Sequence, residues 1–184
     1  MGFFYSTHTL KKRMTDVEKK LKDTRIKYYN LIDSLENSFN KKLNEYNNIL
    51  DSLPLGSPLD TTVIMSNFGP RRSPITGSWQ HHAGVDLQGT YWDTVYATGG
   101  GVVIMANWNT GYGKCVEIEH IGGYHSKYAH LSRIWVKRGD SVNVGDPLGR
   151  CGRTGEVTGQ HLHYEISRND ELTNPLPYIF VLSK

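Results

Sequence analysis

The chain has 184 residues, enough for one folded domain and an accessory segment, and its 38 % hydrophobic and 11 % aromatic content supplies a modest core. Nineteen Gly and eleven Tyr favour a turn-rich β domain over a helical bundle. The net charge of +3 is unevenly placed: residues 1–50 hold ten Lys/Arg against six Asp/Glu and residues 51–184 hold eleven against twelve, so charge excludes the folded part as a nucleic-acid binder.

The opening Met1-Gly-Phe-Phe-Tyr5 is too short for a signal peptide or a membrane span. Aromatic residues gather at membrane interfaces, and this cluster precedes a basic helix, so it is expected to be the end of a membrane anchor lying upstream. Residues 8–50 read as one long helix without Pro or Gly. Leu10, Met14, Val17, Leu21, Thr24, Tyr28, Leu31 and Leu35 recur in alternating steps of four and three, which is a heptad seam. The seam then shifts to Phe39, Leu43, Tyr46 and Leu50, a stutter that unwinds a supercoil locally. One helix cannot bury this stripe alone. The expected partner is a copy of itself in a dimerising stalk, another helix, or the domain that follows, where it would regulate access to the active groove. The basic excess of this segment reads as a solvated face.

Asp51-Ser-Leu-Pro-Leu-Gly-Ser-Pro58 ends the helix. The expected organisation is a helical, coiled-coil segment over 1–53, a linker over 54–64 and a folded domain over 65–184. Within the domain, Thr94–Ile104 reads as two strands around a Gly-rich turn. Cys115–His120, Tyr124–Ala129, Trp135–Lys137, Pro147–Gly149 and Leu162–Ile166 are further strand candidates. Turn signals at this spacing suggest a sandwich or barrel. Cys115 and Cys151 lack metal or redox spacing, so buried free thiols are expected, with a disulfide between them as the alternative in an oxidising compartment.

Three short stretches carry the chemistry: His82-Ala-Gly-Val-Asp86, Tyr128-Ala-His130-Leu and Gly159-Gln-His161-Leu-His163. Side chains on a strand alternate faces, so His82 and Asp86, four apart, and His161 and His163, two apart, can each aim at one point. By the same parity His81 points away, and Gly84 would leave room for an ion on the shared face. Imidazoles with one carboxylate suit tetrahedral Zn²⁺ with three protein ligands and an open fourth position. Five candidates for three places leave two for acid–base work. His8 is expected to be solvated, and His120 and His125 to be structural or surface residues.

These stretches sit among Phe68-Gly69-Pro-Arg71-Arg-Ser-Pro74, Val95-Tyr-Ala97, Gly101-Val-Val, Gly111-Tyr-Gly113, Gly139-Asp, Thr154-Gly155 and Asn174-Pro175. In this order, from about Met65 to Ile179, they resemble the lysostaphin-type (LytM-like) zinc metallopeptidases that cut peptidoglycan cross-bridges. The resemblance implies a mainly β, compact antiparallel sheet or sandwich with a groove whose floor carries the metal. It implies His82, Asp86 and His163 as ligands of Zn²⁺, with His130 and His161 beside the metal water. His161 is the preferred general base and His130 the preferred oxyanion stabiliser, a division the residues themselves leave open. Glu165, two beyond His163, could hold a ligand imidazole from behind.

The implied function is a zinc endopeptidase acting on peptidoglycan peptides at the cell envelope, in the periplasm or on the surface. The alternative is a catalytically silent scaffold or activator of other wall enzymes working through the coiled coil. Both D-Ala–diaminopimelate and glycine cross-bridges are used in this family. The loops Ser73–Gln80 and Trp108–Tyr112 are expected to set the choice.

Overall fold

The computed structural model describes residues 7–181, and the aromatic cluster Met1–Tyr5 lies outside them. The chain divides into two compact units, one ending at Tyr46 and the other beginning at Asn47. Among the described residues no helix is long and apolar enough to cross a membrane.

Helix α1 runs unbroken over Thr7–Asp51, 45 residues, and none of its residues is buried. At 1.5 Å per residue it is about 67 Å long. The seam from Leu10 to Leu50 is exposed along its whole length. The helix ends where Ser52 N and Leu53 N turn back onto the Ile49 and Leu50 carbonyls, ahead of Pro54, which has no N–H to continue the ladder.

The second unit is an antiparallel β domain. Its strands are β1 (Ile64–Ser66), β2 (Gly69–Arg72), β3 (Trp79–His82), β4 (Val85–Leu87), β5 (Thr94–Tyr96), β6 (Gly101–Asn109), β7 (Gly113–Glu119), β8 (Tyr124–Leu131), β9 (Arg133–Ile134), β10 (Ser141–Val142), β11 (Pro147–Arg150), β12 (Leu162–Arg168) and β13 (Glu171–Thr173), followed by the short helix α2 (Leu176–Phe180). The main sheet has the order β1-β4-β12-β8-β7-β6-β10, with β13 also paired to β12. Two smaller sheets flank it, β5-β11-β9 and the hairpin β2-β3. The strands of the predicted Thr94–Ile104 hairpin both form, but β5 and β6 join different sheets. The strand expected at Trp135–Lys137 forms two residues earlier, at Arg133–Ile134.

The 54–64 stretch is held against this sheet domain. Leu55 N donates to Thr98 O, Gly56 N to Tyr178 O, Tyr96 N to Pro58 O, and Leu59 is buried. Apolar residues alternating along β4, β7, β8 and β12 form the core, with Val85, Leu87, Val116, Ile118, Leu131, Leu162 and Ile166 fully buried. The hydroxyls of buried Tyr128 and Tyr164 both meet Thr98 Oγ1, at 2.9 and 2.8 Å, so their burial leaves no polar atom stranded. His120 joins this polar core through Gly100 O and Ser126 Oγ, and His125 lies 3.6 Å from Glu117. Cys115 and Cys151 are buried free thiols.

Candidate metal centre and groove

Three adjacent strands bring the site together. Asp86 on β4 stands opposite His163 on β12, and His163 stands opposite Ala129 on β8, one residue before His130. His82 arrives from outside this sheet, at the end of β3, where it pairs with Gly69. His82 and Asp86 therefore do not share a strand, as their spacing predicts; the two-residue connection Ala83-Gly84 turns the chain between two sheets. Gly84 has a different purpose from the one expected. A Cβ there would meet Tyr164 O at 2.2 Å and Glu165 Cγ at 2.9 Å, so its bareness makes room for the β12 backbone, not for an ion.

The geometry at the centre is tight. His82 Nε2 lies 3.1 Å from Asp86 Oδ1 and 3.0 Å from His163 Nδ1, and His163 Nδ1 lies 2.9 Å from Asp86 Oδ1. The other ring atoms fix the tautomers. His82 Nδ1 donates to Asn67 O at 2.8 Å, and His163 Nε2 donates to Glu165 Oε1 at 2.9 Å. A neutral imidazole has one N–H, so His82 Nε2 and His163 Nδ1 are left as lone pairs facing a carboxylate oxygen. Three acceptors converging in this way could hold a cation among them. Ligand atoms around tetrahedral zinc, with bonds near 2.1 Å, are about 3.4 Å apart, a few tenths beyond the separations here. Two imidazoles, one carboxylate and an open side match a catalytic zinc site; structural sites fill all four places with protein ligands.

The electrostatics agree. Burial pushes the Asp86 carboxyl up, but its contacts with His163, His82 and Arg71 outweigh burial and hold it well below the usual carboxylate range. Burial pushes His163 down, but Asp86 and Glu165 outweigh it and hold the imidazole above its usual value. The centre is thus built to stabilise positive charge.

His130 and His161 flank this centre. Their rings are 4.9 Å apart, His130 is 5.7 Å from the His163 ring, and His161 Nε2 is 3.5 Å from Asp86 Oδ1. Each has Nδ1 on a backbone carbonyl, Thr154 O for His130 at 2.9 Å and Gly159 O for His161 at 3.1 Å. Both carbonyls accept, so each imidazole keeps its proton on Nδ1 and offers a basic Nε2. Burial is the main influence on both: it pushes His130 down to about 4 and His161 below its usual value. His130 takes a positive φ of 63°, a left-handed backbone that is rare outside glycine and costs on the order of 1 kcal/mol. Of the other histidines, His81 is exposed and packs edge-on against Phe68.

Three supporting residues carry no signal of their own in the sequence. Arg71 Nη1 donates to Asp86 Oδ2 at 2.8 Å and also to Ser66 Oγ, which leaves only Oδ1 turned to the centre. Tyr112 OH donates to Glu165 Oε1 at 2.7 Å, and Lys127 Nζ stands 3.4 Å from Glu165 Oε2. Arg71 and Tyr112 fall inside the family-like fragments, but nothing in their spacing reports these partners. The centre lies in a groove of about 730 Å³. One wall comes from Arg72, Ile75 and Gln80, inside or beside the expected 73–80 loop, and Tyr112 represents the expected 108–112 loop. Glu156 to Gly159 also line the groove, outside both loops expected from the sequence.

Residues 80–175 match the family model described as Peptidase family M23. The chain is 43 % identical over 122 residues to the peptidoglycan DD-endopeptidase ShyC of Vibrio cholerae, covering 66 % of this chain and 28 % of ShyC. The chain thus spans little more than a quarter of that relative. Among solved structures, a zinc-containing peptidase from Vibrio cholerae superposes with a TM-score of 0.59 at 33 % identity, covering 68 % of this chain and 39 % of the other. The catalytic domain of lysostaphin from Staphylococcus simulans superposes with a TM-score of 0.56 at 31 % identity, covering 64 % of this chain and 92 % of that domain.

Proposed function

Because the chain belongs to peptidase family M23, we propose that it is a zinc-dependent endopeptidase that hydrolyses peptide cross-links of peptidoglycan at the cell envelope. The observation that carries this reading is the convergence of His82 Nε2, Asp86 Oδ1 and His163 Nδ1 on the floor of a groove, flanked by two further imidazoles. His82, Asp86 and His163 would hold the metal. When bound there, zinc lowers the pKa of a water to about 7 and polarises the scissile carbonyl.

The remaining work falls to the chain's own side chains. His130 and His161 are neutral at pH 7 with Nε2 free, so either can take a proton at that atom. His161, whose Nε2 lies nearer Asp86, is assigned to that step. His130, clamped on Thr154 O and strained in its backbone, is assigned to the substrate oxyanion and the departing amine, to which it donates once the proton taken up by His161 has passed to its own Nε2. Arg71 restrains Asp86 to a single oxygen, and Glu165 fixes the His163 ring. The identity to ShyC, named a DD-endopeptidase, supports D-Ala–diaminopimelate cross-links over glycine bridges as the substrate.

The test is digestion of purified muropeptides of known cross-link type, followed by mass analysis, with a chelator and then with zinc restored. The expected product is monomer from D-Ala–diaminopimelate dimers, lost with chelator and recovered with zinc. Uncut dimers in the zinc-restored sample would refute the assignment.

A further inference from the structure

All four tryptophans are exposed: Trp92 at 80 %, Trp79 at 70 %, Trp108 at 61 % and Trp135 at 41 %. Indole is among the costliest side chains to leave in water, so a domain that buries none of them has a use for their faces. Two of them are organised. The Arg150 guanidinium carbon lies 5.8 Å from the Trp92 ring and 5.8 Å from the Trp135 ring, so one cation sits between two indoles. Among the described residues that guanidinium makes no hydrogen bond and no ion pair, and its Nε is buried without a partner. Arginine carries five N–H donors in a planar fork, and here they are unused.

The position of this trio matters. Arg150 closes β11, the middle strand of the sheet β5-β11-β9, opposite Thr94 and Arg133; Trp92 lies two residues before β5 and Trp135 directly after β9, so both reach it from the ends of the neighbouring strands. The chain then runs straight to the metal centre. Gly152 bridges to His161, and Thr154 O holds His130. Two to four residues separate the trio from those contacts, on the order of 7–14 Å of extended chain. A peptide stem of about four residues spans at most the same distance.

From these observations we infer that Trp92, Arg150 and Trp135 form a binding platform for the sugar rings of the glycan strand that bears the scissile peptide. The two indoles stack on the apolar C–H faces of pyranose rings, and the guanidinium donates to hydroxyl and acetamido oxygens between them. The peptide would lie in the groove while its own glycan rests outside it. This inference rests on the peptidoglycan reading of the groove and extends it to a second part of the same substrate.

The test uses the full chain and its Trp92→Ala, Trp135→Ala and Arg150→Gln variants, checked by thermal unfolding. Tryptophan fluorescence is titrated with peptide-free glycan strands and, separately, with phosphatidylglycerol vesicles. Steady-state kinetics compare cross-linked peptides that carry glycan with the same peptides stripped of it. The wild type is expected to be quenched by glycan and to prefer glycan-bearing substrate. In each variant that preference in kcat/KM should fall about tenfold, with the loss in KM. Glycan that leaves the fluorescence unchanged, or variants that keep the full preference, would overturn the platform. So would quenching by vesicles alone, which would make the trio a lipid contact. Quenching by glycan in a protein that cleaves nothing would leave the platform standing and refute the peptidase.

Discussion

Removing Glu165 tests how the metal centre is held. Glu165 is 3 % exposed, and its Oε1 accepts from both His163 Nε2 and Tyr112 OH while its Oε2 faces Lys127. In Glu165→Ala the buried His163 Nε2 and the half-buried Tyr112 hydroxyl lose their acceptor, and the carboxylate left to Lys127 is Glu117, at 3.6 Å. His163 is then free to rotate and to move its proton to Nδ1, the atom that should face the metal. Loss of such a support behind a metal-bound histidine costs about 10–100-fold in metal affinity, or about 1.4–2.7 kcal/mol. The unsatisfied His163 donor adds about 1–3 kcal/mol of destabilisation to the metal-free protein, and the Tyr112 hydroxyl, half open to water, adds less. Glu165→Gln keeps one acceptor oxygen of similar reach and should lose about tenfold or less in zinc affinity. The assay is competition for zinc against a chromophoric chelator, with thermal unfolding of the metal-free proteins alongside. The expected order of affinity is wild type, then Gln, then Ala. A Glu165→Ala protein that binds zinc as tightly as wild type would refute the argument that the tautomer and aim of His163 depend on this carboxylate.

Further outcomes follow from the same geometry. His82→Ala and His163→Ala should abolish zinc binding, whereas His130→Ala should keep zinc and lose about 10²–10⁴-fold in turnover; metal analysis beside muropeptide digestion reads both. Gly84→Ala would drive a Cβ to 2.2 Å from Tyr164 O, so it should cost about 3 kcal/mol or more and lower the melting temperature by about 6–12 °C. His120 has its pKa lowered from 6.5, first by burial. Its folded form resists protonation while the unfolded chain accepts it, so its contribution to stability is full above pH 6.5 and falls away as the pH drops below that value. Unfolding of wild type and His120→Asn at pH 8 and pH 5 should show the smaller acid-induced loss in the variant.

Much of the site was legible because its residues report parity and chemistry locally. His161 and His163 flank a core leucine, and the structure brings both to the centre with that leucine buried. His82 and Asp86 also meet, but by a turn between two sheets, and parity along a single strand cannot reveal a change of strand. Arg71, Tyr112 and Lys127 were hidden for a related reason: Lys127 meets Glu165 through strand register, Tyr112 from a turn and Arg71 from another sheet, and composition reports none of these. The same holds for β5 and β6, whose pattern announced two strands without saying that they part into different sheets. The heptad of α1 was plain in the sequence, since a helix advertises its face through residues three and four apart.

The loop that supports His130 meets its neighbour through main chain and the Thr154 hydroxyl, which accepts from Lys114 N and donates to Leu131 O. A Cβ at Gly113 would strike Thr154 O at 2.5 Å, and one at Gly155 would strike Gly113 N at 2.4 Å. The Thr154 side chain between these segments is itself tied to the backbone on both sides, and neither Gly113 nor Gly155 has room for a Cβ. Drift in sequence can therefore reshape the rim at Glu156 to Gly159 while the carbonyl that aims His130 stays where it is. On the proposed peptidase reading, variation in what the groove accepts is in this way insulated from the residues assigned to the cutting.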